Sequence, residues 1–226
     1  HRQAAFEEVF VRASDKLKTV FQTASPGIMM AGSGTLALEG AVVNTLSAGD
    51  KAIAVRGGKF GERWGQLGEA YGVDMNILDI EWGTAVDPQR IADELKKNPD
   101  TKAVFVTLNE TSTTILTDVK SIAGITGSTD AILVVDAVSG LAADELRMDD
   151  WGVDMVVAGS QKALMLPPGL AFAAVGPKAQ AAMKNSTIPK YYMSFDKALK
   201  GLEKKTTPFT PAVQTVIGLD KALEEI

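Results

Sequence analysis

The sequence predicts an α/β fold with a mostly parallel sheet that helices cover on both faces. Short apolar segments that indicate strands alternate with longer segments of helical period, which is the pattern of such folds. The clearest strand, residues 131–135, is wholly aliphatic, as expected where a parallel strand is buried on both faces. With 226 residues, 46% of them hydrophobic, the chain is long enough to bury the core of one large domain.

Each element has a local reason in the sequence. Apolar residues at helical spacing predict helices over residues 3–21, 36–46, 60–71 and 119–125. Asp87 before Pro88 is typical of a helix start, and Pro177 and Pro211 indicate two more, the last reaching Ile226. An apolar run occupies residues 28–31, and strands are predicted over residues 52–55, 75–80, 103–108, 131–135, 155–158 and 170–175. Residues 190–208, rich in Lys and Thr, are predicted to form a connector leaving the sheet.

Composition excludes several classes of site. The chain has no Cys and one histidine, His1, so disulfides, thiolate metal sites, a thiol nucleophile and a Ser-His-Asp triad have no candidates. A net charge of -5 with interspersed lysines gives no basic surface for nucleic acid. No apolar run is long enough for a membrane span, and we expect a cytoplasmic protein. Because the chain lacks an initiator Met, we expect the natural protein to start upstream.

Ligands of open α/β sheets bind beyond the carboxyl ends of the strands, and four features fall there. The first is the sequence Ala-Gly-Ser-Gly-Thr at residues 31–35, before a predicted helix. Glycines admit a close ligand, and the N–H groups and dipole of a helix start suit a phosphate. A plain tight turn with Ser33 as N-cap is the simpler alternative for this feature alone. The pattern is not that of a dinucleotide or ATP site.

The other three features are single side chains. Asp136 ends a buried strand, where a carboxylate can pair with a protonated ring nitrogen or simply cap the following loop. Lys162 follows a strand and has uncharged flanks, so we expect a partly desolvated amine able to form a Schiff base. The alternative is a solvated surface lysine. Phe60 begins a helix, where its ring can stack on a flat ligand or pack in the core.

In this order the residues resemble the class V aminotransferases, nearest to the alanine–glyoxylate and serine–pyruvate branch. The most specific match is GSQKAL at residues 159–164, followed by PPG at 167–169, which is similar to the family's lysine motif. Residues 134–139 resemble the family's aspartate motif, and residues 57–64 resemble its ring-stacking segment. Residues 109–113 resemble a loop that reaches the cofactor, and residues 206–211 resemble a segment that crosses to the partner subunit. The resemblance runs along the whole chain.

The resemblance implies the three-layer large domain of a fold type I enzyme that uses pyridoxal 5′-phosphate. Ser33, Gly34 and Thr35 would hold the phosphate, with Gln161 assisting. Thr210 would reach the phosphate of a neighbouring subunit, which implies a homodimer.

The resemblance also assigns the contacts of the cofactor ring. Phe60 would stack on the ring, and Thr111 would lie near its phenolic oxygen. Asp136 would pair with the ring nitrogen, and Val138 would pack on the opposite face. Lys162 would form the Schiff base and then move protons at the substrate Cα.

The implied activity is transfer of an amino group from a small amino acid, like alanine or serine, to a 2-oxo acid such as glyoxylate or pyruvate. A desulfurase or lyase of the same fold is disfavoured by the absence of Cys, and a fragment or scaffold without full catalysis is the other alternative. Thr114 stands where many relatives have Gly, and Thr207 stands where some relatives have Tyr. We expect residues 1–226 to be the large domain alone, without the small C-terminal domain that carries the substrate-binding arginine and without the extreme N-terminal segment.

Overall fold

The computed structural model describes residues 3–226, so His1 and the predictions that concern it lie outside the described residues. The strands are β1 (Gly27–Gly32), β2 (Lys51–Arg56), β3 (Asp74–Asp79), β4 (Ala103–Thr107), β5 (Asn109–Glu110), β6 (Ile115–Leu116), β7 (Ile132–Asp136), β8 (Met155–Gly159) and β9 (Gly169–Val175). The helices are α1 (Ala4–Phe21), α2 (Gly34–Thr45), α3 (Lys59–Ala70), α4 (Pro88–Lys97), α5 (Val119–Thr126), α6 (Met148–Trp151), α7 (Pro177–Met183), α8 (Phe195–Glu203) and α9 (Val213–Glu225).

Seven strands form one sheet in the order β1-β9-β8-β7-β4-β2-β3. The pairs from β8 through β7, β4 and β2 to β3 are parallel, while β9 is antiparallel to both β8 and β1. Only β9 therefore runs against the rest of this sheet, and the predicted mostly parallel sheet is confirmed. The carboxyl ends of the other six strands open on one edge, called the carboxyl edge below.

Alternate side chains of each central strand enter two different cores. Ile53 and Val55 of β2 pack in a core with α1, α4, α5 and α9, whereas Ala52 and Ala54 pack in a core with α2, α3, α7 and α8. On the second face, the fully buried Trp64 of α3 stacks on Phe105 of β4 at 4.6 Å between centroids. Burial of a side chain such as Phe105 contributes about 1.5–3 kcal/mol, which fixes α3 on the sheet. The predicted coverage of both faces is confirmed.

The connector predicted over residues 190–208 is wrong in its middle part, because α8 lies there. Ser194 accepts a hydrogen bond from the Lys197 N–H at 3.3 Å and caps the helix, and Phe195 and Ala198 are buried against the sheet. The lysines occupy the outer face, so a composition that indicated a connector concealed an amphipathic helix. The short α6 and the β5–β6 hairpin were not predicted either, since two to four residues carry no periodic signal.

The last helix begins at Val213, with Ala212 as its N-cap, rather than at Pro211. Thr210, which precedes Pro211, therefore does not cap it. In the part of the chain that the structure describes, no helix has both the length and the apolar character needed to cross a bilayer.

Candidate functional site

Three loops at the carboxyl edge meet around glycines. A Cβ atom placed on Gly34, in the first turn of α2, would lie 2.7 Å from Val138 Cγ2 in the loop after β7. One placed on Gly159, at the end of β8, would lie 3.4 Å from Gly34 Cα and 3.0 Å from Gln161 Oε1. These approaches tolerate no side chain at Gly34, and they bring together three segments that the sequence predicted as parts of one site.

The start of α2 presents hydrogen-bonding groups that the protein leaves free. Ser33 occupies the N-cap position but makes no side-chain capping bond, and it is exposed. The first N–H groups of a helix, here those of Gly34 and Thr35, have no partner within the helix. Gln161 Oε1 is buried without a hydrogen-bond partner among residues 3–226. Unpaired buried polar groups are costly, so this arrangement suits a polar ligand, and the helix start favours an anion.

Asp136 is a buried carboxylate at the end of β7. It is 3% exposed, and its Oδ1 accepts a hydrogen bond from the Val138 N–H at 2.9 Å, so it does cap the following loop as the alternative proposed. Burial raises the pKa of Asp136 to about 6, while the Val138 N–H and the positive charges of Arg63 and Lys162 act to lower it. No cation contacts this carboxylate within residues 3–226, and a protonated ring nitrogen would fill that place.

Lys162 lies in the turn between β8 and β9 and is exposed, so the predicted desolvation of its amine is not observed. The uncharged flanks are buried only in part: Leu164 is buried and Ser160 Oγ donates to the Pro167 carbonyl at 2.7 Å, whereas Met165 is 68% exposed. The amine makes no hydrogen bond or ion pair within the described part of the chain. Lys162 lies three residues after the end of β8, which pairs with β7, the strand that Asp136 ends.

Phe60 and Arg63 lie one turn apart at the start of α3. Phe60 is partly exposed, so core packing does not fully account for it. The Arg63 guanidinium lies 5.2 Å from the centroid of its ring and donates to Thr35 Oγ1 at 3.2 Å. Arg63 thus links the ring to the first turn of α2. Its role was not predicted from the sequence, although residues three positions apart lie on one face of a helix.

Thr111 and Glu110 lie in the β5–β6 hairpin. The Thr111 hydroxyl is 2.5 Å from the Ser139 hydroxyl of the loop after β7. The buried Glu110 accepts hydrogen bonds from the first turn of α3; it lies in the segment 109–113 that resembles the family's cofactor loop, but no role had been assigned to it. Thr107 Oγ1, at the end of β4 and opposite Asp136 in register, is a further buried atom without a partner among the described residues.

Thr210 is exposed and stands apart from the other predicted residues. It lines a groove at the β1 side of the sheet together with Ala31, Tyr192 and Phe209. No hydrogen bond joins its side chain to the loops around Gly34 within residues 3–226. Nine of the ten predicted residues thus lie at or just after the carboxyl ends of sheet strands, whereas Thr210 lies in the segment between α8 and α9.

Comparison with known proteins places this geometry in a family. The model described as aminotransferase class-V matches residues 1–226. The chain is 40% identical to the soluble hydrogenase small subunit of a Synechococcus species over 99% of its length, and 42% identical to serine–glyoxylate aminotransferase of Hyphomicrobium methylovorum over 85%. These matches span 59% and 49% of the two relatives. Aspartate aminotransferase of Thermus thermophilus superposes with a TM-score of 0.92 at 31% identity, over 100% of this chain and 63% of that one.

The superposition confirms the predicted fold class. Pyridoxal 5′-phosphate is the cofactor of this family, and the residues present fit it. The free N–H groups at the start of α2 suit its phosphate, and within residues 3–226 the buried Asp136 lacks the cation that its ring would bring. The match extends over all 226 residues. The chain belongs to the class V aminotransferases.

Proposed function

We propose that this chain is the cofactor-binding large domain of a transaminase that moves an amino group from a small amino acid, like alanine or serine, to a 2-oxo acid such as glyoxylate or pyruvate. The observation that carries the proposal is the placement of a buried carboxylate, Asp136, at the end of β7 and of a free amine, Lys162, in the turn that follows the neighbouring strand β8. The serine–glyoxylate relative supports the substrate class. The chain spans only part of its relatives, so residues elsewhere would complete the substrate site.

The residues of this chain divide the work between binding and proton transfer. Ser33, Gly34 and Thr35 hold the phosphate through main-chain N–H groups and hydroxyls, with Gln161 beside them. When bound, pyridoxal phosphate supplies an electron sink for the carbanion at the substrate Cα. Lys162 would take the proton from the substrate Cα and deliver it to the cofactor, so that the amino group stays there when the 2-oxo acid leaves.

The ring end of the site keeps that electron sink effective. Asp136 holds a proton on the ring nitrogen, because a carboxylate next to the nitrogen stabilises its charged form. Phe60 and Val138 cover the two ring faces, and Thr111 lies beside the phenolic oxygen. Each of these contacts is a proposal for this chain.

A half-reaction tests the activity. The full-length protein carrying this chain, loaded with pyridoxal phosphate, should convert L-serine or L-alanine to the 2-oxo acid, with the bound cofactor changing its absorbance as it is aminated. Glyoxylate or pyruvate should restore the original spectrum. A cofactor spectrum that stays constant with both amino acids would overturn the proposal for that substrate class.

The name of the Synechococcus relative suggests a second function, in a hydrogenase. Nothing in these 226 residues favours it, since the chain has no cysteine and iron–sulfur clusters are held by cysteine thiolates. Residues 3–226 also hold no group of three or more His, Cys, Asp or Glu side chains placed for a metal ion.

The working unit in this proposal is a homodimer in which Thr210 completes the partner's site. Its exposure, apart from the site of its own chain, supports that arrangement. A two-fold interface is self-complementary, so both sites would be completed together. Hybrid dimers of one Lys162→Ala and one Thr210→Ala subunit then carry both lesions in one site and leave the other intact, so half the sites regain normal cofactor affinity. If no hybrid site regains it, Thr210 acts within its own subunit and the dimer proposal fails.

A further inference from the structure

Helix α3, which carries Phe60, begins without a cap of its own. Its N-cap residue is Gly58, which has no side chain to accept a hydrogen bond. The N–H groups of Lys59, Phe60 and Gly61 are the first of the helix and have no carbonyl partner within it. An acceptor from another part of the chain must satisfy them, since the start of α3 is partly buried.

Glu110 of the β5–β6 hairpin supplies that acceptor. Its Oε2 accepts from the Phe60 N–H at 3.1 Å and from the Gly61 N–H at 2.9 Å. Its Oε1 accepts from the Ser112 hydroxyl at 2.6 Å, and the same hydroxyl accepts from the Lys59 N–H at 3.0 Å. Glu110 is 5% exposed, and one buried carboxylate with one serine thus satisfies the whole first turn of α3.

The contact between Glu110 and the start of α3 leaves no room for a side chain at Gly58. A Cβ atom at Gly58 would lie 2.5 Å from Glu110 Cδ and 2.5 Å from Ser112 Oγ, closer than such atoms come. The glycine is therefore required by the cap that comes from the hairpin, because any larger residue would push the carboxylate away from the N–H groups.

The same hairpin also bonds to the loop that follows Asp136. Thr111, next to Glu110, lies 2.5 Å from the Ser139 hydroxyl, oxygen to oxygen. Hydrogen bonds thus run from the backbone of Phe60 through the hairpin to the loop after β7. The charge of Glu110 also acts on Asp136, whose pKa it raises.

We infer that Glu110 is a positioning residue that, by capping α3 from the hairpin, holds the Phe60 ring at a fixed place relative to Asp136 for stacking on the cofactor ring. The inference rests on the proposed function, because it concerns the ring that Phe60 would cover. The competing explanation is a cap that only stabilises the fold. The two explanations differ in whether altering the Glu110 carboxylate changes the affinity and the circular dichroism of the bound cofactor.

The test compares Glu110→Gln with Asp87→Asn in the full-length protein. Both replace a helix-capping carboxylate by its amide, and Asp87 caps α4 through the Gln89 N–H at 2.9 Å without contacting the predicted site. The amide introduced by Glu110→Gln keeps one acceptor oxygen and no charge, so the first turn of α3 and Ser112 together lose one acceptor and the negative charge that faces these N–H groups. We expect this variant to bind pyridoxal phosphate roughly tenfold more weakly, as for one lost hydrogen bond to a charged group, and to show reduced induced circular dichroism of the bound ring. Asp87→Asn should change neither.

Two further measurements make each outcome decisive. Thermal unfolding of the cofactor-free variants establishes that they fold. If Glu110→Gln does not fold, Ser112→Ala replaces it, for which a smaller change of the same kind is expected. An unchanged affinity and dichroism in the variant that folds would overturn the inference while leaving the proposed function intact. If the wild-type protein itself binds no pyridoxal phosphate, the proposed function fails and the inference fails with it.

Discussion

The two edges of the sheet each hold a shielded aspartate, and their surroundings differ. At the amino edge, Asp154 accepts from the Leu133 N–H at 2.8 Å and has the Lys178 ammonium 3.8 Å away. At the carboxyl edge, Asp136 accepts from the Val138 N–H at 2.9 Å and has no cation in contact within residues 3–226. Burial raises the pKa of both. The protein supplies the cation beside Asp154 itself. It supplies none beside Asp136 within residues 3–226, which leaves room there for a cationic ligand.

The same contrast holds for the neighbouring polar groups. Lys178, at the amino edge, also donates to the carbonyls of Thr129 and Ala131 at 3.0 and 2.6 Å. At the carboxyl edge, Gln161 Oε1 and Thr107 Oγ1 are buried without partners in the described chain, and the Lys162 amine has none there. Unsatisfied groups gathered at one edge are typical of a binding site.

The largest effect should come from removing the free amine. Lys162→Ala should lower transamination by at least about 10³-fold, because a positioned proton-transfer group contributes 10²–10⁴-fold and this one also holds the cofactor. The half-reaction rate of the folded, full-length protein measures it. Lys120→Ala, at an exposed lysine of α5, is the control and should keep the wild-type rate. Near-normal activity in Lys162→Ala would end the assignment.

Exchanging the two aspartates for their amides tests the contrast between the edges directly. Asp136→Asn should slow the half-reaction roughly 100-fold, about 2.7 kcal/mol, since a neutral amide no longer keeps the ring nitrogen protonated. Asp154→Asn, which changes the other shielded carboxylate, should slow it less than about twofold, or 0.4 kcal/mol. Similar losses of half-reaction rate in both variants would contradict a specific role for the carboxylate at the carboxyl edge.

The stability of the cofactor-free protein should reveal Asp136 through pH. Its pKa is raised to about 6 in the folded state, so the folded protein holds this proton to higher pH than the unfolded chain does. Stability from this group is therefore full below the unfolded value near 4 and is lost as pH rises to 6, by about 3 kcal/mol at most. In Asp136→Asn, chemical denaturation should show that this part of the pH dependence is gone. A fall of the same size in the variant would assign it to other groups.

The smallest expected effects come from replacing two serines that lie at helix starts. Ser33 makes no capping bond in α2, whereas Ser194 caps α8 through the Lys197 N–H at 3.3 Å. Ser33→Ala should weaken phosphate binding by about 1.5 kcal/mol, as for a hydrogen bond to a charged group, and leave stability unchanged. Ser194→Ala should lower stability by about 1 kcal/mol and leave cofactor affinity unchanged. Cofactor titration and thermal unfolding of both variants measure these effects. A loss of stability in Ser33→Ala, or a loss of cofactor affinity in Ser194→Ala, would contradict the assignment.

Sequence patterns predicted the sheet and its long helices because a buried face requires apolar residues at a regular period. The strand at residues 131–135 and the helix starting at Pro88 agree with β7 and α4 to within a residue. Short elements such as β5 and β6 escaped, since two residues carry no period, and α8 was concealed by its lysines. Local signals also identified Gly34 and Asp136, which lie where strands end.

Contacts between distant segments were beyond the sequence. The cap that Glu110 places on α3 and the bond from Arg63 to Thr35 join residues far apart in the chain. The exposure of Lys162 was mispredicted because uncharged flanks indicate burial of the segment and not of the lysine amine. The structure shows that Leu164 packs inward while Lys162 and Met165 are exposed.

The central claim is that Lys162 carries the cofactor beside Asp136. Borohydride reduction of the full-length protein with pyridoxal phosphate, followed by peptide mass spectrometry, tests it most directly. We expect the reduced phosphopyridoxyl group on Lys162, at one per chain, while lysines such as Lys120 and Lys178 stay unmodified. A modification centred on another lysine, or a protein that takes up no label, would contradict it.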